Sequence, residues 1–355
     1  MRGHTRATPL RCGLIVAAVL CVAACAKPQP RLDPTRVVSV APCPPMTEPR
    51  LTFESNFWLN LHNFLYKEAK RRQGIDDDGA GARGNIGSDT TGLRALTPTE
   101  RRAWDDAVAY YAREVLTDRM AGADSVVSRV NDRLAAAPEA SLAGAGVDVV
   151  LTGTLTQVAP IYRSVWWPIH DSHNQAWITA SRGLVDRYGG CVFPRLQSAL
   201  KRPWPSAPIV IHAATYASWF GAYTTTVTGP NVTISSNAVG NQETYAPESI
   251  LHESAHAAEL LQPGEAAMAA DAAKRRVSLE PELSHVILFY TTGEIVAGVI
   301  PSHIPYAERF GIWSRNSETA RLKGILTDAW KPYLVGGAGI SFEQALDLVV
   351  QRSGR

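Results

Sequence analysis

The stretch PESILHESAHAAELLQPG, residues 247–264, decides how the rest of the chain is read. Inside it, His252-Glu253-Ser254-Ala255-His256 matches the pattern H-E-x-x-H. Pro247 can open a helix and Pro263-Gly264 can close it, which puts the pattern mid-helix. Residues four apart share a helix face, so both imidazoles point the same way and can hold one Zn2+. Glu253 follows His252 directly and lies beside such an ion without needing to ligate it, where a carboxylate can take a proton from water. Ala255, Ala257 and Ala258 keep the helix surface small for close packing.

A catalytic zinc takes three protein ligands and keeps one position open. The metzincin pattern fails, because it needs Gly and His where Glu259 and Gln262 stand. Downstream, Glu294 is the single Asp, Glu, Lys or Arg in residues 283–307. A carboxylate in so apolar a helix needs a cation or several donors to offset desolvation, and zinc would supply that. A β-rich run, the motif helix and a later helix bearing Glu, spanning residues 207–300, together resemble the gluzincins, the thermolysin-like division of HExxH peptidases. The resemblance implies one zinc ion on His252, His256 and Glu294, with Glu253 as general base, and hydrolysis of a peptide or protein substrate. Zinc would lower the pKa of water to about 7, which lets Glu253 take the proton.

Other residues compete for places in that site. His285 and Asp271 are alternative third ligands. His285 stands nine residues before Glu294, half a turn out of phase on an ideal helix, so the two do not both face the ion. Glu259 lies two turns from His252 and reads equally as an acceptor for an imidazole N–H or as a solvated charge. Tyr306 and Tyr333 each follow a Pro and are candidate catalytic donors to an oxyanion, or plain packing.

Around the motif the pattern is α+β: mostly helical, with a small antiparallel or mixed sheet before the HExxH helix. Residues 208–212, 219–227 and 231–236 are short β-rich runs separated by turn residues such as Gly229-Pro230. Val232, Thr233, Ile234 and Ser235, about ten residues before the motif helix, suit an exposed edge strand where an extended peptide could add by main-chain hydrogen bonds. Upstream, apolar residues recur at helical spacing from Phe53 to Arg72. Thr97-Pro98-Thr99-Glu100 is a helix start with a capping box. Residues 147–200 read as helix broken at Trp167-Pro168 and Gly189-Gly190, with Ile169–Asn174 as a helix cap or a polar site lining. Asp76-Asp77-Asp78-Gly79 lacks the alternating ligands and closing Glu of a calcium loop and reads as a solvated loop.

The N-terminus is an address. Arg2, Arg6 and Arg11 precede an apolar run from Gly13 to Ala24, too short to span a bilayer and suited to a signal peptide. Val22-Ala23-Ala24-Cys25 resembles a bacterial lipobox, which implies cleavage before Cys25 and acylation of its sulfur. The plainer reading is an ordinary cleaved signal. Ala26 after the cysteine points to the outer membrane, facing the periplasm. The expected organisation is therefore signal peptide 1–24, Pro-rich tether 25–50, helical region 51–206 and zincin-like catalytic region 207–355. Cys43 and Cys191 are left to pair or stay free in an oxidising compartment.

The chain of 355 residues carries a formal charge of +2; without the three arginines its 35 Lys and Arg fall to 32 against 33 Asp and Glu. That balance gives no electrostatic footprint for nucleic acid. The expected function is a zinc-dependent peptidase held on the envelope membrane by an N-terminal lipid. The alternative is a non-catalytic zincin-like lipoprotein that binds or assembles.

Overall fold

The computed structural model describes residues 42–75, 81, 88–116, 126–217, 221–336 and 339–354. The expectations for the signal peptide, Cys25 and Asp76–Asp78 lie outside the described residues.

The order is β1 (Leu51–Glu54), α1 (Phe57–Arg72), α2 (Ser88–Ala95), α3 (Pro98–Tyr110), α4 (Val126–Ala136), α5 (Val149–Val165) and α6 (Trp167–Leu200). Three strands follow, β2 (Ile209–Ala214), β3 (Ala222–Thr225) and β4 (Asn231–Ser235). Helices complete the chain: α7 (Tyr245–Ala257), α8 (Gln262–Arg275), α9 (Leu283–Ala297), α10 (Tyr306–Arg309), α11 (Ser317–Ala329), α12 (Lys331–Leu334) and α13 (Phe342–Ser353). The class is the expected α+β, mostly helical with one small mixed sheet.

Local signals set several of these boundaries. Thr97 accepts from Glu100 N and Glu100 accepts from Thr97 N, the anticipated capping box at the start of α3. Asn56 caps α1, its side chain accepting from Leu59 N. Phe53 belongs to β1 and not to α1, because Leu51–Glu54 pairs in parallel with Ile209–His212. That pairing is between residues far apart in the chain and leaves no local trace.

The sheet order is β1-β2-β4-β3. β1, β2 and β4 run parallel, and β3 lies antiparallel on β4 through the short turn between Thr225 and Asn231. β4 is therefore interior, with Val232, Thr233, Ile234 and Ser235 all buried, and it cannot accept an added strand. The expected edge is instead β3. The buried carboxylate of Asp132 on α4 holds that hairpin: it accepts from Thr228 N at 2.8 Å, from Asn231 Nδ2 at 3.3 Å and from Thr225 Oγ1.

α6 is one continuous 34-residue helix; it starts at Trp167 as expected but runs through Gly189-Gly190 without a break. The glycines serve another purpose. A Cβ on Gly190 would lie 1.8 Å from Pro44 O, and one on Gly189 would lie 2.8 Å from Met46 Sδ. They form a groove that seats residues 44–46, and beside it Cys43 and Cys191 are joined in a disulfide with Cα atoms 5.3 Å apart.

Two large apolar clusters form among the described residues. One gathers α1, α3, α4 and α5 around Trp104, Tyr162 and Trp166. The other packs the sheet and the C-terminal half of α6 against α7, α8, α9, α11 and α13. A buried amide network joins the helical elements to the sheet. Asn60 on α1 donates to Ala213 O, and its Oδ1 accepts from Thr215 N and Asn174 Nδ2. Such a network fixes register because each unmet bond would cost desolvation. His170 lies within α6, buried and bonded to Tyr162 Oη at 2.9 Å, and is a core residue and not a site lining.

Candidate metal centre

α7 opens at Tyr245, two residues before Pro247, and ends at Ala257. Glu259 then turns the chain with φ 50°, and Pro263 opens α8 instead of closing α7. Glu259 is thus exposed beyond the helix, 3.3 Å from Arg202, and is a surface charge.

Ile250, Leu251 and Ala255 bury one side of α7 in the sheet-side core. The other side turns His252 and His256 toward α9. His285, in the first turn of α9, completes a cluster whose ligand atoms all lie within 4.8 Å of one another. His252 Nε2 is 3.1 Å from His285 Nε2 and 3.3 Å from His256 Nε2. A tetrahedral ion with Zn–N bonds of about 2.0–2.1 Å spaces its nitrogens about 3.3–3.4 Å apart. Both separations lie close to that spacing, and the three imidazoles could hold a metal ion. Phe289, one turn along α9, walls the cluster with its ring 4.1 Å from that of His252.

Electrostatics favour the ligating form. Burial, reinforced by the other two imidazoles, holds His252 well below its ordinary pKa. Burial and then His285 push His256 down to about 3, and burial lowers His285 against the opposing pull of Glu282. Neutral rings offer lone pairs. Glu282 Oε2 lies 3.4 Å from His285 Nδ1, on the side that turns Nε2 toward the cluster.

Glu253 sits beside the histidines on α7. Thr224 Oγ1, on the terminal strand β3, lies 2.7 Å from Glu253 Oε2 and 3.0 Å from Glu253 O. Burial pushes the Glu253 carboxyl up to about 7, with the Thr224 hydrogen bond opposing it. A carboxylate near neutrality suits proton transfer at ordinary pH.

Glu294 is not in the cluster. Its Oε2 lies 2.9 Å from Lys331 Nζ, so the cation that offsets this carboxylate is an ammonium from α12. The half-turn phase difference puts His285 at the site and turns Glu294 away from it. Asp271 is likewise engaged, by Arg275 at 2.7 Å. Tyr306, the first residue of α10, has its ring 6.2 Å from that of Phe289, and burial pushes its phenol up to about 12 against the opposing pull of Arg315, with Glu248 and Glu253 adding to the rise. Tyr333 serves packing: its hydroxyl donates to Ala199 O at 2.9 Å, and its ring lies on Trp330 and Phe342.

Thr224, Glu282 and Phe289 were not anticipated. Glu282 could have been read from its spacing of three before His285, whereas Thr224 reaches Glu253 only through the tertiary fold. Comparison with family models, with characterised proteins and with solved structures finds no match for this chain.

Proposed function

We propose that the protein is a zinc-dependent hydrolase acting on peptide bonds, carried on the bacterial envelope by a lipid at Cys25. The observation that carries this reading is the convergence of His252, His256 and His285 Nε2 atoms beside Glu253. His285 takes the third position that the gluzincin pattern gives to a glutamate. When bound, the zinc would act as a Lewis acid toward a carbonyl oxygen and acidify water.

The chain's own residues divide the remaining work. Glu253 receives the proton from the attacking water and returns it to the leaving amine. Thr224 holds one of its oxygens in place. β3, terminal in the sheet and tied to Glu253 through Thr224, is the strand along which an extended peptide would add its main chain. Tyr306 offers a neutral hydroxyl to the oxygen that gains charge. The Cys43–Cys191 disulfide is in keeping with an oxidising compartment. Among the described residues no helix is long and apolar enough to cross a membrane.

The test uses full-length protein purified in detergent. One zinc per chain, chelator-sensitive cleavage of casein, and loss of cleavage with retained zinc in Glu253→Gln are expected. A folded, metal-free and inert protein would sink the reading in favour of a binding scaffold.

A further inference from the structure

Behind the histidine cluster lies a buried acid–imidazole pair that the hydrolysis outlined above does not use. Glu248 precedes His252 by one helical turn on α7 and is 2% exposed. Its Oε2 lies 2.6 Å from His303 Nε2 and accepts from the backbone N of Tyr306 at 2.9 Å. His303 is fixed from its other side, Nδ1 lying 3.1 Å from Thr244 Oγ1. One carboxylate oxygen thus ties the motif helix to the loop after α9 and to the first peptide N–H of α10. A buried charge is costly, and a purely structural link could be apolar.

The packing around that link leaves Tyr306 little freedom. Gly293 on α9 lets the loop close: a Cβ there would lie 2.8 Å from Pro305 Cβ and 3.1 Å from Glu248 Oε1. A Cβ on Gly240 would lie 2.5 Å from Tyr306 Cε2. The phenol is therefore packed at its hydroxyl end against Gly240 and Gly81, where a Cβ would come within 2.9 and 1.9 Å of the hydroxyl, while its ring lies on Phe310 at 4.6 Å and 6.2 Å from Phe289, the aromatic wall of the histidine cluster. Its backbone anchor is Glu248.

We propose that Glu248 and His303 are positioning residues that set Tyr306 as the hydroxyl donor to the charge-gaining oxygen of a peptide substrate. This rests on the hydrolase reading. The pair acts through Tyr306 and not on the metal. An amide at position 248 would keep an acceptor oxygen for both His303 Nε2 and Tyr306 N, whereas an alkyl side chain would offer none.

The experiment combines kinetics with a probe that needs no activity, on zinc-loaded full-length protein in detergent with a fluorogenic peptide. Tyr306→Phe and Glu248→Leu are each expected to lower kcat by 10-fold or more with KM within about 2-fold, as loss of a transition-state hydrogen bond does. The double variant should lose no more than the worse single one, and Glu248→Gln should recover most of kcat. Independently, 3-fluorotyrosine placed at 306 should give one narrow fluorine resonance in wild type and Glu248→Gln, and a broad or split one in Glu248→Leu. Should Glu248→Leu not fold, His303→Asn takes its place with the same expectations. Multiplicative losses in the double variant, a change in KM alone, or an unchanged fluorine resonance would each overturn the clamp. If wild type cleaves nothing while the resonance responds as expected, the hydrolase reading fails and the Glu248–Tyr306 link stands without its catalytic consequence.

Discussion

His285 Nε2 lies 3.1 Å from His252 Nε2, across the gap between α9 and α7, while Glu294 on the far side of α9 is paired with Lys331. The helix that carries His285 thus turns its only carboxylate outward. His285→Ala is therefore expected to lose zinc, and Glu294→Ala to keep it. Removing the half-exposed ion pair should cost less than about 1 kcal/mol. Zinc stoichiometry and Tm of the two variants decide; full zinc in His285→Ala would overturn the assignment.

Glu253→Gln preserves shape and should retain zinc while kcat falls about 10²–10⁴-fold, the usual cost of a lost general base. Cleavage at the wild-type rate by this variant contradicts the assigned role.

Thr224→Val removes the donor that favours the charged form of Glu253. The carboxyl pKa then rises, and because the base works deprotonated, the acidic limb of kcat/KM should move to higher pH. A shift to lower pH, or none, speaks against the contact.

His62 is buried in α1 with Nδ1 2.8 Å from Tyr111 Oη, and burial pushes it down to about 4. A depressed folded-state value means the unfolded chain takes up the proton first, near its ordinary value of about 6.5. The stability of neutral His62 is fully present above that value and is lost as pH falls toward about 4. Over that window the protein should lose on the order of 3 kcal/mol from this residue. Denaturant melts of wild type and His62→Gln at pH 7 and pH 4.5 should converge at the lower pH; parallel losses in both rule His62 out as the cause.

Gly190→Ala places a methyl against Pro44 O and should keep residues 44–46 from seating, so that Cys43 and Cys191 close poorly. Free-thiol titration reads this directly. Losing a bridge across 148 residues should cost about 2–4 kcal/mol in Tm-derived stability. Quantitative bridge formation in Gly190→Ala would contradict the groove.

What was legible in the chain was local. The histidine pair four apart, the capping box at Thr97 and the turn near Gly229 are each written within a few residues, and each is found. The misplaced pieces depend on partners far away. β4 looked like an edge because β3 precedes it and folds back outside it. Glu294 looked like a ligand because the Lys331 ammonium that offsets it lies 37 residues on, beyond the apolar stretch. Gly189-Gly190 looked like a helix break, since glycine weakens helices, until Pro44 occupied the space that side chains would have filled. Which residue joins the histidine pair was decided by helical phase: of His285 and Glu294, only one could face α7.

The bridge between Cys43 and Cys191 also determines where force would enter the molecule. A load arriving along the chain ahead of Cys43 passes through the sulfurs into the C-terminal third of α6, a 34-residue helix. β1 begins eight residues later, at Leu51, and is relieved of that tension. A strand pulled along its axis from one end yields by shearing its pairing with β2. Here the load is transferred sideways to a helix, and the sheet that carries Thr224 keeps its register when the chain ahead of Cys43 is pulled.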